Sequence, residues 1–511
     1  MPSQRTIMGL GTVFLTLAGC KGDEEDSSAT TETGDTATVT DTGDTGTTED
    51  TADSAAEPAC TVTRFAPVGE GYALPTGYAD DTFVMAHGVE GRDTAWRFVH
   101  VEGRPAILTL RAKGLDDVGV TRWLLHRAGA TGFDAAATDW SLPTGLPEGG
   151  DAGFDAHDAS LHAWPAGLEP AYESVDAHGE AVAGRPWLHD LDGDGWPDVV
   201  AFTATGWSVY RGGASGLATE AVTWALPDGA PAAALDGRAD TTPDDGLSWR
   251  IVDMDGDGRG DLVVQASPTD ATIGATRWVV YRNTGVGFAA GADWLLPPVD
   301  AGTPAGGGRF IADLDGDGRP ELVVPRASRE VGDGLGGTEP DGTPRWTVFP
   351  NQGTGFGGAV VWALPEGYPV GTFARPPAHG TSEVHWALRD LTGDGIADLV
   401  IVADTREGAD TGGLVGTARW RVHAGSNGIG DVKAGWGRMA SDFVLPTGLP
   451  EGALAMPDDL DDRDPAWALL DLDGDLRLDL VVTSWSSGTE EGIGSARWLV
   501  WKGQCEATSG G

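Results

Sequence analysis

From residue 60 onward the chain alternates short apolar runs with clusters of Gly, Asn and Asp. Leu262-Val263-Val264 is one such run and Trp278-Val279-Val280-Tyr281 is the next. β-Branched and aromatic residues dominate the runs, and turn formers bound them, which predicts strands. No segment keeps a helical period over three turns. Runs such as Trp278–Tyr281 are apolar on both faces, as expected of sheets sandwiched between other sheets.

The runs belong to a repeat of about 60–80 residues with three landmarks, each seen six times. A Leu-Pro element ends at Pro75, Pro143, Pro227, Pro297, Pro365 and Pro446. An acidic loop has five clear copies and one decayed copy. A tryptophan strand contains Trp123, Trp207, Trp278, Trp346, Trp420 and Trp498. Unit three reads as four strands: Trp249–Val252, Leu262–Gln265, Arg277–Arg282, and a last one running from Gly287-Phe288 to Leu296. Six four-stranded units with nothing between them predict an all-β, six-bladed β-propeller. The last unit stops at Cys505 without its fourth strand, and the folded part starts with an orphan strand, Cys60–Phe65. That N-terminal strand is expected to complete the last blade and close the ring.

The acidic loops carry the candidate chemistry. In unit three, Asp253, Asp255 and Asp257 occupy positions 1, 3 and 5, the carbonyl of Arg259 position 7, and Asp261 position 9. The corresponding sets are Asp190, Asp192, Asp194, Trp196, Asp198 in unit two and Asp313, Asp315, Asp317, Arg319, Glu321 in unit four. Unit five offers Asp390, Thr392, Asp394, Ile396, Asp398, and unit six Asp471, Asp473, Asp475, Arg477, Asp479. Hard oxygen donors at this density suit Ca²⁺, which takes six to eight oxygens, and disfavour zinc or copper. About five mainly structural sites are expected, with units two to four tightest. Thr392 removes one charge from unit five. Leu476 stands where the other loops have Gly, which predicts strain. Unit one aligns as His100–Leu108, with Arg104 and Leu108 at ligand positions, so no metal is expected there. An EF-hand needs a bidentate Glu at position 12, where these loops have Val264, Ala201, Val324, Ile401 and Val482.

The pattern over residues 60–505 resembles the FG-GAP/VCBS repeat of integrin-type propellers. The resemblance implies calcium in the hairpin between the first two strands of a blade, usually in a structural role.

Charge and the N-terminus change the picture of location. The net charge is −45, which argues against a nucleic-acid partner, since nothing would neutralise phosphates. Arg5 and the apolar run Ile7–Leu17 look like an export signal, too short to span a bilayer. Leu17-Ala18-Gly19-Cys20 resembles a lipoprotein lipobox, which implies cleavage after residue 19 and lipidation of Cys20; ordinary cleavage or an uncleaved anchor are the alternatives. Residues 20–59 form an acidic, Thr-rich stretch that cannot bury enough surface to fold, and read as a stalk. Residues 60–505 are the folded part and 506–511 a tail. Cys60 and Cys505, at its two ends, form a disulfide or remain two free thiols. Lys21 lacks the Asp that by resemblance retains lipoproteins at the inner membrane, so an outer-membrane or cell-surface address is expected.

These features imply a membrane-anchored, calcium-stabilised binding, adhesion or scaffolding protein, monomeric, with an unknown protein or glycan ligand. No nucleophile elbow or His ligand pair points to an enzyme. A polysaccharide lyase or hydrolase, or a purely structural envelope component, are the alternatives. The tryptophans read as blade core, and the Arg before most of them as pairing with a carboxylate or carbonyl. Connections on the face opposite the acidic loops vary most in length, so the ligand is expected there.

Overall fold

The computed structural model describes residues 61–67, 71–78, 82–83, 95–112, 114–144, 187–203, 206–225, 227, 248–297, 309–325, 345–369, 372–373, 383–406, 414–428, 434–437, 439–455, 465–475, 477–485 and 492–506. The expected signal peptide, stalk, Cys20 and Cys60 lie outside the described residues, as do most of the long connections. Among the described residues there is no helix, and so none long and apolar enough to cross a membrane. The fold is all-β, a β-propeller arrangement of four-stranded antiparallel units, in which parallel bridges between Ala363 and Gly435 and between Arg64 and Val444 join some units into larger sheets.

Unit three shows the local logic. Ser248–Val252, Asp261–Ala266, Arg277–Tyr281 and Ala292–Leu295 pair in chain order. The fourth strand begins later than the sequence suggests: Gly287-Phe288 closes a turn instead, through a bridge between Asn283 and Phe288. Unit one uses Ala95–Val101, Arg104–Arg111, Arg122–Arg127 and Thr138–Ser141, and unit two Trp187–His189, Asp198–Thr203, Gly206–Tyr210 and Val222–Ala225. Unit four uses Phe310–Ala312, Glu321–Val324, Arg345–Phe349 and Val360–Ala363. Unit five uses Val384–Arg389, Asp398–Asp404, Arg419–His423 and Ser441–Val444. The last unit has only Ala466–Leu470, Asp479–Ser484 and Arg497–Glu506 from its own stretch of chain. Thr61–Pro67 pairs antiparallel with the outer one, Arg64 opposite Gln504 and Phe65 opposite Gly503, and Tyr72–Ala73 continues along it. The N-terminal strand thus supplies the fourth strand of the last unit. Cys505 stands opposite Val62 in this register.

The period-2 alternation of the strands sorts side chains into two faces, and each face packs on a different neighbour. Val199 joins a core with Trp123 and Trp140 of unit one, whereas Val200 joins Trp249 and Leu262 of unit three. Val263 in turn packs with Ile311 and Leu322 of unit four. Further clusters join unit four to five around Trp346 and Trp386, and five to six around Trp420 and Leu480. Another joins unit six back to unit one through Trp498, Val481, Ile107 and Phe98. The tryptophans are core: Trp123, Trp207, Trp249, Trp346, Trp420 and Trp498 are fully buried.

Most junctions are also plugged by an aromatic ring from the next unit, and Leu217 takes that place between units one and two. Phe288 stands edge-on between Trp207 and Trp224, at 5.2 and 5.3 Å. Phe356 does the same against Trp278 and Trp294, and Trp436 against Trp346 and Trp362. Such pairs contribute about 0.5–1.5 kcal/mol beyond their buried area. The arginines that start the third strands pair with carboxylates: Arg122 with Asp117 and Asp139, Arg277 with Asp270 and Asp293, and Arg419 with Asp442.

Candidate metal centre

The acidic loops join the first strand of a unit to its second, and carboxylate–backbone hydrogen bonds hold them. The position-1 aspartate caps the turn. Asp253 Oδ1 accepts from the N–H of Gly256 and its Oδ2 from Gly258, both at 2.7 Å. Asp190, Asp313 and Asp390 repeat this. The position-9 carboxylate is buried and ties the loop to the third-to-fourth turn. Asp261 accepts from Met254 N–H and Asn283 N–H, Asp198 from Leu191 and Gly212, and Asp479 from Leu472 and Gly503. Position 5 accepts from the N–H of position 7, as Asp257 does from Arg259.

What converges differs between copies. Asp190, Asp192 and Asp194 bring one oxygen each within 4.8 Å of one another, as do Asp471, Asp473 and Asp475. In units three and four the converging groups are Asp253, Asp255, Asp261 and Asp313, Asp315, Glu321, with position 9 in place of position 5. Asp257 and Asp317 are turned to the guanidinium groups of Arg259 and Arg319. In unit five Thr392 leans on Asp390 at 3.4 Å, and Asp394 accepts from Ile396 N–H.

The donor set fits a hard divalent cation. At position 3, the Oδ1 atoms of Asp192, Asp255, Asp315 and Asp473 are buried without a hydrogen-bond partner. The side chain of Asp192 is only 7% exposed. A buried, unsatisfied carboxylate oxygen among other carboxylates is costly unless a cation meets it. Burial also pushes the carboxyl pKa values up: Asp190 to about 6, Asp198, Asp261, Asp313, Asp398 and Asp479 to about 7, and Glu321 to about 9. A cation bound there would favour the ionised forms and supply charge neutralisation and cross-linking, held by the carboxylates of positions 1, 3 and 5 in units two and six and of positions 1, 3 and 9 in units three and four.

Unit one lacks the loop altogether. Val101 pairs with Arg104 across a two-residue turn, Glu102-Gly103, with φ of 54° and 73°. The His100–Leu108 alignment therefore fails: Arg104 and Leu108 are strand residues, and no ligand positions exist there. The turn still fills the loop's place, because Glu102 N–H donates to Gly195 O of unit two at 2.8 Å.

The loops interlock around one face. Asn283 Nδ2, on the turn of unit three, donates to Leu191 O in the loop of unit two and to Gly260 O in its own. Asn351 repeats this with Met254 O and Pro320 O. A Cβ on Gly316 would stand 2.2 Å from the carbonyl oxygen of Gly395 in the next loop, so this glycine is required by packing as well as by its φ of +77°.

On the opposite face, the Leu-Pro elements are hooks. After Leu74-Pro75, Leu364-Pro365 and Leu445-Pro446 the chain folds back to bury Phe83, Phe373 and Leu454. Their carbonyls accept from the indoles of Trp498, Trp346 and Trp420 at 2.9, 2.7 and 2.8 Å. The spacing Leu-Pro-x-Gly with Phe or Leu nine residues after the first Leu is the sequence signal for them. The same region carries a buried carboxylate, Asp404, paired with Arg406 and Arg421. It also carries the Tyr368–His423 contact at 3.1 Å.

Three solved structures overlap with the chain. The Photorhabdus luminescens Tc holotoxin pore is 17% identical, covering 87% of this chain and 15% of that one, with a TM-score of 0.45. An Agrocybe aegerita lectin that recognises non-reducing terminal N-acetylglucosamine is 16% identical, with coverage of 81% and 86% and a TM-score of 0.37. The rhamnogalacturonan lyase YesW is 14% identical, with coverage of 76% and 69% and a TM-score of 0.25. The chain spans only a small part of the toxin, and overlaps at these scores carry no argument about activity. No curated protein sequence matches the chain. The FG-GAP-like repeat does match, at residues 190–264 and again at 253–324. Each match starts on the first aspartate of an acidic loop, so the chain carries FG-GAP-like repeats across its second to fourth units.

Proposed function

We propose that this protein is a calcium-stabilised, six-bladed propeller that displays a binding surface, without catalytic activity of its own. The observation that carries the reading is the set of acidic loops that interlock with their neighbours and, in units two, three, four and six, hold a buried, unsatisfied carboxylate oxygen at position 3. The cyclic order of the inter-unit cores supports six blades closed by the N-terminal strand. Calcium would act as a cross-link between strands and between blades, leaving the opposite face free to vary.

The N-terminal sequence supports export and lipidation at Cys20, with residues 20–59 as a stalk and the propeller held at an outer-membrane or cell-surface site. In this reading the partner is a protein or a glycan, met by the connections on the face away from the loops. A glycan array and a pull-down from envelope extract, each run with calcium and with chelator, test this. Calcium-dependent capture of one ligand class supports it. Turnover of a polysaccharide by the pure protein contradicts it.

A further inference from the structure

The residue five positions after the start of the third strand differs between units: Arg127, Arg211, Arg282, Pro350, Ala424 and Lys502. Where it is basic, it reaches the hairpin between the first and second strands of its own unit. Arg211 pairs with Asp192 at 3.1 Å, Arg282 with Asp255 at 3.3 Å, and Lys502 with Asp473. These three aspartates are the position-3 carboxylates whose second oxygen is buried and unpartnered. Arg127 makes the equivalent contact in unit one, with Glu102 at 2.8 Å, although no loop exists there. Two of the arginines also donate to the neighbouring unit, Arg211 to Gly285 O and Arg282 to Gly353 O. Their position is thus fixed from both sides.

In unit four the position is Pro350, which can offer no charge. Asp315 has the same buried, unpartnered Oδ1 as its counterparts and lies in the converging group with Asp313 and Glu321.

We propose that the side chain five positions after the start of the third strand is a tethered counter-cation that sets the divalent affinity of its own loop. Arg211, Arg282 and Lys502 neutralise the carboxylate on which a metal ion depends. They lower affinity in units two, three and six and hold those loops together when no metal is bound. The loops of units four and five have no such tether, and of the two only unit four keeps a carboxylate at position 3, so unit four is the tightest site and the one whose stability depends most on calcium. This rests on the reading of the loops as calcium sites.

The test is equilibrium dialysis of calcium against the full chain, with folding checked by circular dichroism. Asp315→Asn should remove the tightest site. Pro350→Arg should weaken that site roughly fivefold, the scale of one partly exposed ion pair, and Arg282→Ala should tighten one weaker site by a similar factor. Arg282→Lys, which keeps the charge, should bind as the parent does. If the parent binds calcium but Pro350→Arg and Arg282→Ala leave every affinity unchanged, the tether has no such role. If the parent binds no calcium, the metal reading itself falls, which is a separate result.

Discussion

The ring of Phe65 stands edge-on to Trp420, centroids 5.9 Å apart and planes at 85°. Phe288 and Trp207 hold the same relationship within the middle of the chain. Phe65 lies on the N-terminal strand and Trp420 in unit five, so the first strand of the fold supplies both the missing strand of unit six and the plug of its junction with unit five. Phe65→Ala should cost about 3–5 kcal/mol, the range for emptying a buried aromatic site. Chemical unfolding of the purified chain measures it. A loss below 1 kcal/mol would mean that the seam does not hold the fold.

Asn283 is buried and satisfies two carbonyls in adjacent loops as well as the N–H of Gly285. Replacing it with Ala leaves those groups without partners. Asn283→Ala should therefore destabilise by about 1–3 kcal/mol, visible as a lower midpoint in urea at constant calcium. An exposed asparagine elsewhere should change the midpoint by much less.

Leu476 occupies the position at which Gly195, Gly258, Gly318 and Gly395 have φ between 81° and 85°. Leu476 itself lies outside the described residues. A side chain in that left-handed region costs about 1–2 kcal/mol. Leu476→Gly is expected to recover about that amount, less the entropy of a freer unfolded chain. A destabilised variant would show that the loop of unit six takes another path.

His423 Nδ1 sits 2.8 Å from Gly437 O and must donate to it, so Nε2 accepts from the Tyr368 hydroxyl. Burial holds this histidine below its ordinary pKa, and His126 beside Tyr78 likewise. These two rings therefore take up fewer protons in the folded chain than in the unfolded chain once the pH drops below about 6.5. The stability these neutral rings contribute is complete above that pH and is lost as pH falls towards their folded values. The stability difference between the parent and His423→Gln should accordingly shrink between pH 7 and pH 5. A difference that grows on acidification would mean that the ring is held charged.

Much of this architecture was legible in the chain. Period-2 alternation and recurring Trp and Leu-Pro landmarks are local signals, and they gave the strands, their grouping in fours and the partner of the orphan N-terminal strand. Unit one misled because spacing alone cannot distinguish an eight-residue loop from a two-residue turn: His100–Leu108 aligns in number, but Glu102 takes the positive φ and Arg104 is already in the next strand. The tethered cations are not legible in the sequence, because Arg282 and Asp255 are 27 positions apart and no periodic pattern links them. The Leu-Pro hooks are half visible in the sequence: Leu364 and Pro365 belong to a recurring pair, whereas the residue nine positions after the Leu varies between Phe373 and Leu454.

In the proposed function, calcium holds the loops. Each site that binds only the folded chain adds about 2.7 kcal/mol when free calcium is a hundred times its Kd. The direct measurement is the thermal midpoint of the full chain in excess calcium and in chelator, paired with the amount of calcium bound. Several bound ions, unequal in affinity, are expected, with a midpoint that falls clearly on chelation. Equal midpoints in the two conditions, with no calcium retained by the folded chain, would contradict this reading.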